Sequence, residues 1–289
     1  MAESTGDIKR RIRSIQSTQK ITKAMKMVSA AKLRRAQEKL LASRPYAKKL
    51  TEVLGRLVQG AGEFEHPLLD AREEGKIGCV VFTGDRGQAG GYNVNIVRLA
   101  QAYVDSMEKD AAELIVLGRK GRDYFRFRNY PIMQDYINIG DVPTFIQAKE
   151  LARQLIEWYK DGTLREVHLF YQKFHSAIHQ VPTHIQLLPL EAAADSEGAG
   201  EEVEYIFEPS PEGVLGTLLP NFVEIQVYQA LLDAKASEHG ARMTAMGSAT
   251  DNAQEMIEKL TLSFNRARQA AITKEISEIV GGADALENA

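Results

Sequence analysis

Apolar positions recur at helical spacing over both ends of this chain and in short continuous runs through its middle. From Asp7 to Arg44 there is neither Gly nor Pro, and most residues are strong helix formers. One continuous helix is predicted, with Pro45 placed to bend it before it resumes towards Leu57. Alternate steps of four and three from Ile8 pick out Ile12, Ile15, Gln19, Thr22, Lys26, Ser29, Leu33, Ala36 and Leu40, and continue to Leu57. This is a coiled-coil seam, apolar at both ends and polar or small around Gln19 to Ser29, where its packing should be loosest. The C-terminal region repeats the spacing through Ile225, Gln229, Leu232, Ala236, His239, Met243 and Met246, and on by Ala253 and Phe264 to Ala271. It predicts a helix from about Pro211 to Val280, on the order of 100 Å long at 1.5 Å per residue. The glycines of "GGAD" at Gly281 should stop it.

Two such helices at opposite ends of a sequence pair most economically as an antiparallel couple, with the longer C-terminal one projecting past its partner. Between them, "IGCVVFTGD" and "AELIVLGRKG" read as strands, each followed by a helical pattern, Gly91 to Glu108 and Arg119 to Arg128. A helix from Pro143 to Tyr159 leads into "EVHLFYQKF" and "VPTHIQLLPL", an adjacent strand pair. The expected fold is α/β with long helices: an antiparallel coiled coil of the terminal helices plus a central Rossmann-like α/β domain. The boundaries expected are 1–60 and 209–289 for the coiled coil and 75–208 for the domain.

Charge sharpens this picture. The net charge of -3 conceals a balance of +11 over residues 1–50, while residues 191–212 hold eight acidic residues and no basic one. The basic segment calls for a partner with acidic surfaces. Its helix fits four descriptions: a targeting peptide, a membrane-surface helix, a nucleic-acid-binding helix, or a shaft enclosed by other chains. The helical pattern runs past any cleavage site, and Met25, Met27 and Val28 are spread around it instead of forming one lipid-facing stripe. No run approaches a membrane span and no secretory signal precedes the first helix, so the chain is expected to stay in the compartment where it is made.

Candidate chemistry is sparse. Cys79, the single cysteine, sits in an apolar run and reads as a buried, inert thiol. "TGDRGQAGGYN", Thr83 to Asn93, stands where a phosphate-cradling loop would sit. It matches neither dinucleotide nor P-loop spacing and reads as a strand-to-helix turn that needs glycine dihedrals. His175, His179 and His184 fall on the strand pair, without the geometry of a zinc helix. No catalytic constellation, metal site or cofactor is expected.

"QKITKAMKMV", "SRPYA", "GDRGQAGGYN", "EHGARMTAMGSATDNA" and "NRARQAAITKEISEIVGGA" occur in order across the whole chain. Together they resemble the gamma-subunit family of the bacterial rotary, F-type ATP synthase. The resemblance implies a non-catalytic central shaft, turned by the membrane c-ring inside a ring of alpha and beta subunits. It couples proton translocation to ATP synthesis or hydrolysis, on the cytoplasmic face of the cell membrane and with the epsilon subunit as neighbour. Matching positions for beta-subunit contacts are Lys20, Lys23, Met25, Arg242, Arg268, Gln269, Thr273 and Glu275. Those for a foot on the c-ring are Arg44, Tyr205 and Glu208. Where family members often read D-R-G-L-C-G-G, this chain has Gln88 and Ala89. The rival reading is a basic coiled coil that binds nucleic acid by itself.

Overall fold

The computed structural model describes residues 4–60, 66–108, 110–190 and 211–287. They form α1 (Thr5–Gly60), β1 (Lys76–Phe82), α2 (Tyr92–Asp105), β2 (Ala112–Leu117), α3 (Arg119–Phe127), β3 (Ile132–Tyr136), α4 (Phe145–Lys160), β4 (Leu164–Phe174), β5 (Gln180–Leu188) and α5 (Pro211–Glu287). The chain divides into two compact units: Met1–Val28 with Ala245–Ala289, and Ser29–Thr244.

The first unit pairs the start of α1 with the end of α5. Ser4 caps α1: its hydroxyl accepts the Asp7 amide proton at 3.2 Å and donates to the Asp7 carboxylate at 2.8 Å. Ile8 and Thr22 are buried, Ile12, Ile15 and Gln19 half-buried, as the seam predicts, while Lys26 is exposed and Met25 half-buried. Lys26 still lies against α5, its side chain 3.6 Å from where a Cβ on Gly247 would stand, but its ammonium keeps the residue in water. The middle of the seam is polar on both helices. The Gln19 amide donates to the Gln254 side-chain oxygen at 2.8 Å, and the Thr250 hydroxyl to that of Thr22 at 2.9 Å. From Arg268 to Ala283 every residue of α5 is exposed. The helix does not end at Gly281 but runs through Gly282 to Glu287. A glycine stops a helix by taking a left-handed dihedral at its cap, and neither of these glycines does so.

The second unit is built on a sheet of order β3-β2-β1-β4-β5, parallel except for the β4–β5 pair. Cys79 and Val81 face one layer with Ile96, Val97 and Phe125 of α2 and α3. Val80 and Phe82 face the other, with α4, the Leu50–Leu57 face of α1 and the Leu215–Ala234 face of α5. A parallel strand covered on both sides reads as an unbroken apolar run, which is why "IGCVVF" shows no alternation. The third parallel strand, β3, was not expected from the sequence. Its five residues lie at the sheet edge, mostly half-buried, and so carry neither a continuous apolar run nor a clean alternation. Thr144 and Gln147 form a reciprocal capping box at the start of α4.

Here too α1 and α5 run antiparallel. Leu33, Ala36 and Leu40 pack with Leu232 and Ala236, and Gln229 donates to the Ser43 hydroxyl at 2.9 Å. Gly240 lies where the hairpin between β4 and β5 crosses α5: a Cβ there would stand 3.4 Å from the Cα of Ala177. The turn from β2 into α3 is tighter. Gly118 has φ of 93°, and a Cβ on it would fall 2.2 Å from the Thr83 carbonyl oxygen. Gly118→Ala should therefore destabilise the protein by roughly 3 kcal/mol or more. Gly247→Ala, whose Cβ would meet the Lys26 side chain at an ordinary 3.6 Å, should stabilise α5 by up to about 1 kcal/mol. Urea unfolding of both variants beside the parent measures the contrast, and two changes of the same sign would contradict it.

Candidate functional site

The sheet winds outward in one direction through β1, β2 and β3, and β4 then enters on the other side of β1. In open sheets of this kind, ligands sit outside the carboxyl ends of the strands at that reversal. In this protein the place is filled by α5 itself. All residues from Leu231 to Gly240 are buried. Asp233 accepts the Phe174 amide proton at 3.2 Å, and the Ser237 hydroxyl donates to the Gln172 carbonyl at 2.9 Å, both at the end of β4. At the end of β1, Gly84 lies so close to Glu238 that a Cβ would stand 3.0 Å from its carboxylate. The turn "TGDRGQAGGYN" is thus packed against the protein's own helix. Gly90 takes a left-handed φ of 53°, as glycine allows, while Gln88 adopts a φ of 61° despite its side chain.

Glu238 is 4% exposed. It accepts from Lys235 Nζ at 3.0 Å and from Arg242 Nη2 at 2.7 Å. Burial opposes its charge, but Lys235 and then Arg242 outweigh burial and hold its carboxyl below the usual range. Arg242 is 8% exposed and also donates to the carbonyls of Arg86 and Gly87 at 3.4–3.5 Å. Next to it, Tyr92 is pushed well above its ordinary pKa by burial and then by the Glu238 charge. His239 donates through Nε2 to the Asp141 carbonyl at 3.1 Å, while its Nδ1 is buried without a partner. Burial lowers its pKa, against the pull of Glu238 and that carbonyl. Cys79 is fully buried, and burial raises its thiol to about 12. Among the described residues no group of three or more His, Cys, Asp and Glu is placed to hold a metal ion.

The residues singled out from sequence fall into three groups. In the first unit, Lys20 and Lys23 are exposed and, with Lys26, Met27, Asp251 and Gln254, line an open groove of about 640 Å³ at the polar part of the seam. Met25 is half-buried beside them, and Arg268, Gln269, Thr273 and Glu275 are exposed on α5. In the second unit, Arg242 is turned inward, and Arg44 is half-exposed, its guanidinium 4.0 Å from Asp233. Tyr205 and Glu208 lie outside the described residues. Sequence reasoning passed over Glu238 and Lys235. Their signal is the spacing Lys235, Glu238, Arg242, which places a carboxylate between two cations on one helix face.

A long helical couple with an exposed basic groove, and an α/β body whose ligand crevice is filled by its own helix, define a class of protein that joins a coiled coil to a nucleotide-binding type of sheet without an open site at its strand ends. The sequence model of the ATP synthase family matches residues 4–286. The ATP synthase gamma chain of Moorella thermoacetica is 58% identical, over 97% of this chain and 98% of the relative. That of Heliobacterium modesticaldum is 56% identical, over 97% and 98%. Among solved structures, the central stalk and c-ring of the Tetrahymena thermophila mitochondrial ATP synthase contains a chain that is 27% identical, with TM-score 0.59, over 79% of this chain and 99% of that one. A chain of the Euglena gracilis enzyme shares the fold at 19% identity and TM-score 0.67, over 98% and 94%. The chain belongs to the ATP synthase gamma-chain family. Membership gives no support to the nucleic-acid reading of the basic helix.

Glu238→Ala should cost roughly 3–5 kcal/mol, because it leaves Lys235 and Arg242 charged, buried and without their carboxylate; urea titration at neutral pH measures it. The pH dependence has a definite sign. His239 is held below its ordinary 6.5, so the unfolded chain takes up this proton first. Its share of stability is full above about pH 6.5 and is lost as pH falls below that value. His239→Gln, which keeps a donor for the Asp141 carbonyl, should flatten that part of a stability profile taken from about pH 7.5 to about pH 5.5.

Proposed function

We propose that this chain acts as the central rotor shaft of an F-type ATP synthase, and that the exposed surface of its first unit is what presses on the catalytic subunits. It couples proton translocation through the membrane sector to ATP synthesis or hydrolysis at beta-subunit sites and contributes no catalytic group of its own. Beyond family membership, the observation that carries this reading is the stretch of α5 from Arg268 to Ala283, exposed on every side although it bears Ile272, Ile276, Ile279 and Val280. Such a helix calls for surrounding chains to cover it. Lys20, Lys23 and Met25 at the groove, and Arg268, Gln269, Thr273 and Glu275 on α5, are the proposed contacts with the beta subunits. Lysine and arginine there suit acidic partner loops. Arg242 is proposed with them, although within this chain its guanidinium is turned inward to Glu238. Arg44, with Tyr205 and Glu208, is proposed for the foot on the c-ring, and the epsilon subunit as a further neighbour. No described helix is long and apolar enough to cross a membrane, and a peripheral position on the cytoplasmic face of the cell membrane is part of the same proposal.

The chain alone should hydrolyse no ATP, and ATPase activity should appear when it is mixed with alpha and beta subunits. Failure to enter that complex would overturn the proposal. Met25→Lys adds a charge beside Lys20, Lys23 and Lys26, and should lower ATP-driven proton pumping in vesicles by a larger factor than ATP hydrolysis. Equal losses in the two assays would contradict a role in coupling.

A further inference from the structure

β5 is the edge strand of the sheet, held on one side only by antiparallel pairing to β4. Of its residues only Leu187 and Leu188 are buried. Beyond that ladder, side-chain contacts that converge on two histidines tie it to β4 and α2. His184 Nε2 lies 2.9 Å from His168 Nδ1, and His168 Nε2 lies 2.9 Å from the Glu166 carboxylate and 3.2 Å from the Tyr103 hydroxyl. The His184 ring stacks on Phe170 with centroids 4.5 Å apart and planes 1° from parallel, and Tyr103 of α2 covers both imidazoles. His168 is 4% exposed, whereas His184 is open to solvent. Facing the pair are Tyr103 from α2, Cys79 from β1, which pairs in register with His168, and Glu166 with Arg165 from β4.

The proton positions follow from these partners. A carboxylate only accepts, so His168 Nε2 carries a hydrogen. Neutral His168 then presents a lone pair at Nδ1, and His184 Nε2–H donates to it. We propose that His168 and His184 form a proton-accepting latch on the sheet edge: the pair takes up one proton with its bond intact, and a second proton releases the outer half of β5. The first proton adds to His184 Nδ1 from solvent. The bridging proton moves from His184 Nε2 to His168 Nδ1, so one N–H bond forms on each ring and one breaks on His184. The positive charge rests on His168 beside Glu166. A second proton has only His184 Nε2 to occupy, where it faces the His168 Nδ1–H. Two donors and two like charges then oppose each other at bonding distance, and the contact is lost. Burial and the neighbouring His168 both lower the His184 pKa, which keeps the singly bonded arrangement in place at neutral pH.

Hydrogen exchange on the full chain, corrected for the intrinsic pH dependence of exchange, reads the latch directly. The protected amides among Val181, Thr183, His184, Ile185 and Gln186 should lose protection by about tenfold or more between about pH 7 and about pH 5, while those of β1 and β2 keep theirs. His184→Phe keeps a ring on Phe170 but holds no proton, and should make β5 protection independent of pH over this range. In nitrogen-15 spectra of the imidazoles, Glu166→Gln should move the first proton uptake to lower pH, because Gln still accepts a hydrogen bond but brings no charge. Wild-type β5 protection that is flat over the range overturns the proposal. So does an undiminished pH dependence in His184→Phe, which separates the latch from a general acid loosening of the sheet.

Discussion

Everything in the body of this protein depends on burying one stretch of α5, Leu231 to Gly240, on all sides. Helices buried all round are normally apolar, yet half of this one is polar, so each polar group must find a partner indoors. Asp233 takes a strand amide, Ser237 a strand carbonyl, Lys235 and Arg242 share Glu238, and His239 finds the Asp141 carbonyl. Those partners lie in different directions around the helix axis. A helix held only by leucines could turn by tens of degrees and repack, whereas turning this one would strand buried charges without their counterparts. The polar groups set the rotational phase of α5 within the unit, which an apolar seam specifies poorly.

The same stretch explains why a sheet of nucleotide-binding type hosts no such chemistry in a member of this family. The reversal between β1 and β4 is present, as is a glycine-rich turn at the end of β1, but a carboxylate bracketed by two cations stands against that turn. A phosphate would have to displace Glu238 from its place against Gly84. The glycines of the turn serve close packing and left-handed dihedrals.

Much of this was legible in the sequence. The seam positions, the strand pair β4–β5 and the burial of Cys79 follow from periodicity, because period and burial report the same face. The readings that failed did so for local reasons. Lys26 fills its seam position against α5 yet stays exposed, because a lysine keeps its ammonium in water. β3 was missed because an edge strand of five half-buried residues carries no strong pattern. Gly281 fits a helix stop in sequence, which shows the residue but not its dihedral. The inward direction of Arg242 within this chain was not legible either, since it depends on Glu238 one turn earlier and on a loop more than 150 residues away in sequence. No periodicity encodes such a meeting.

The polar middle of the helix couple in the first unit has a mechanical consequence. Leucine layers are interchangeable, so an apolar couple can slip lengthwise by a heptad and repack at small cost. The pairs Gln19–Gln254 and Thr22–Thr250 are not interchangeable with their neighbours, since a shifted register would set an amide or a hydroxyl against an alkyl layer. They act as the teeth of a spline: weak as adhesive, but keyed, so that strain applied to one helix passes to the other without creep along the axis.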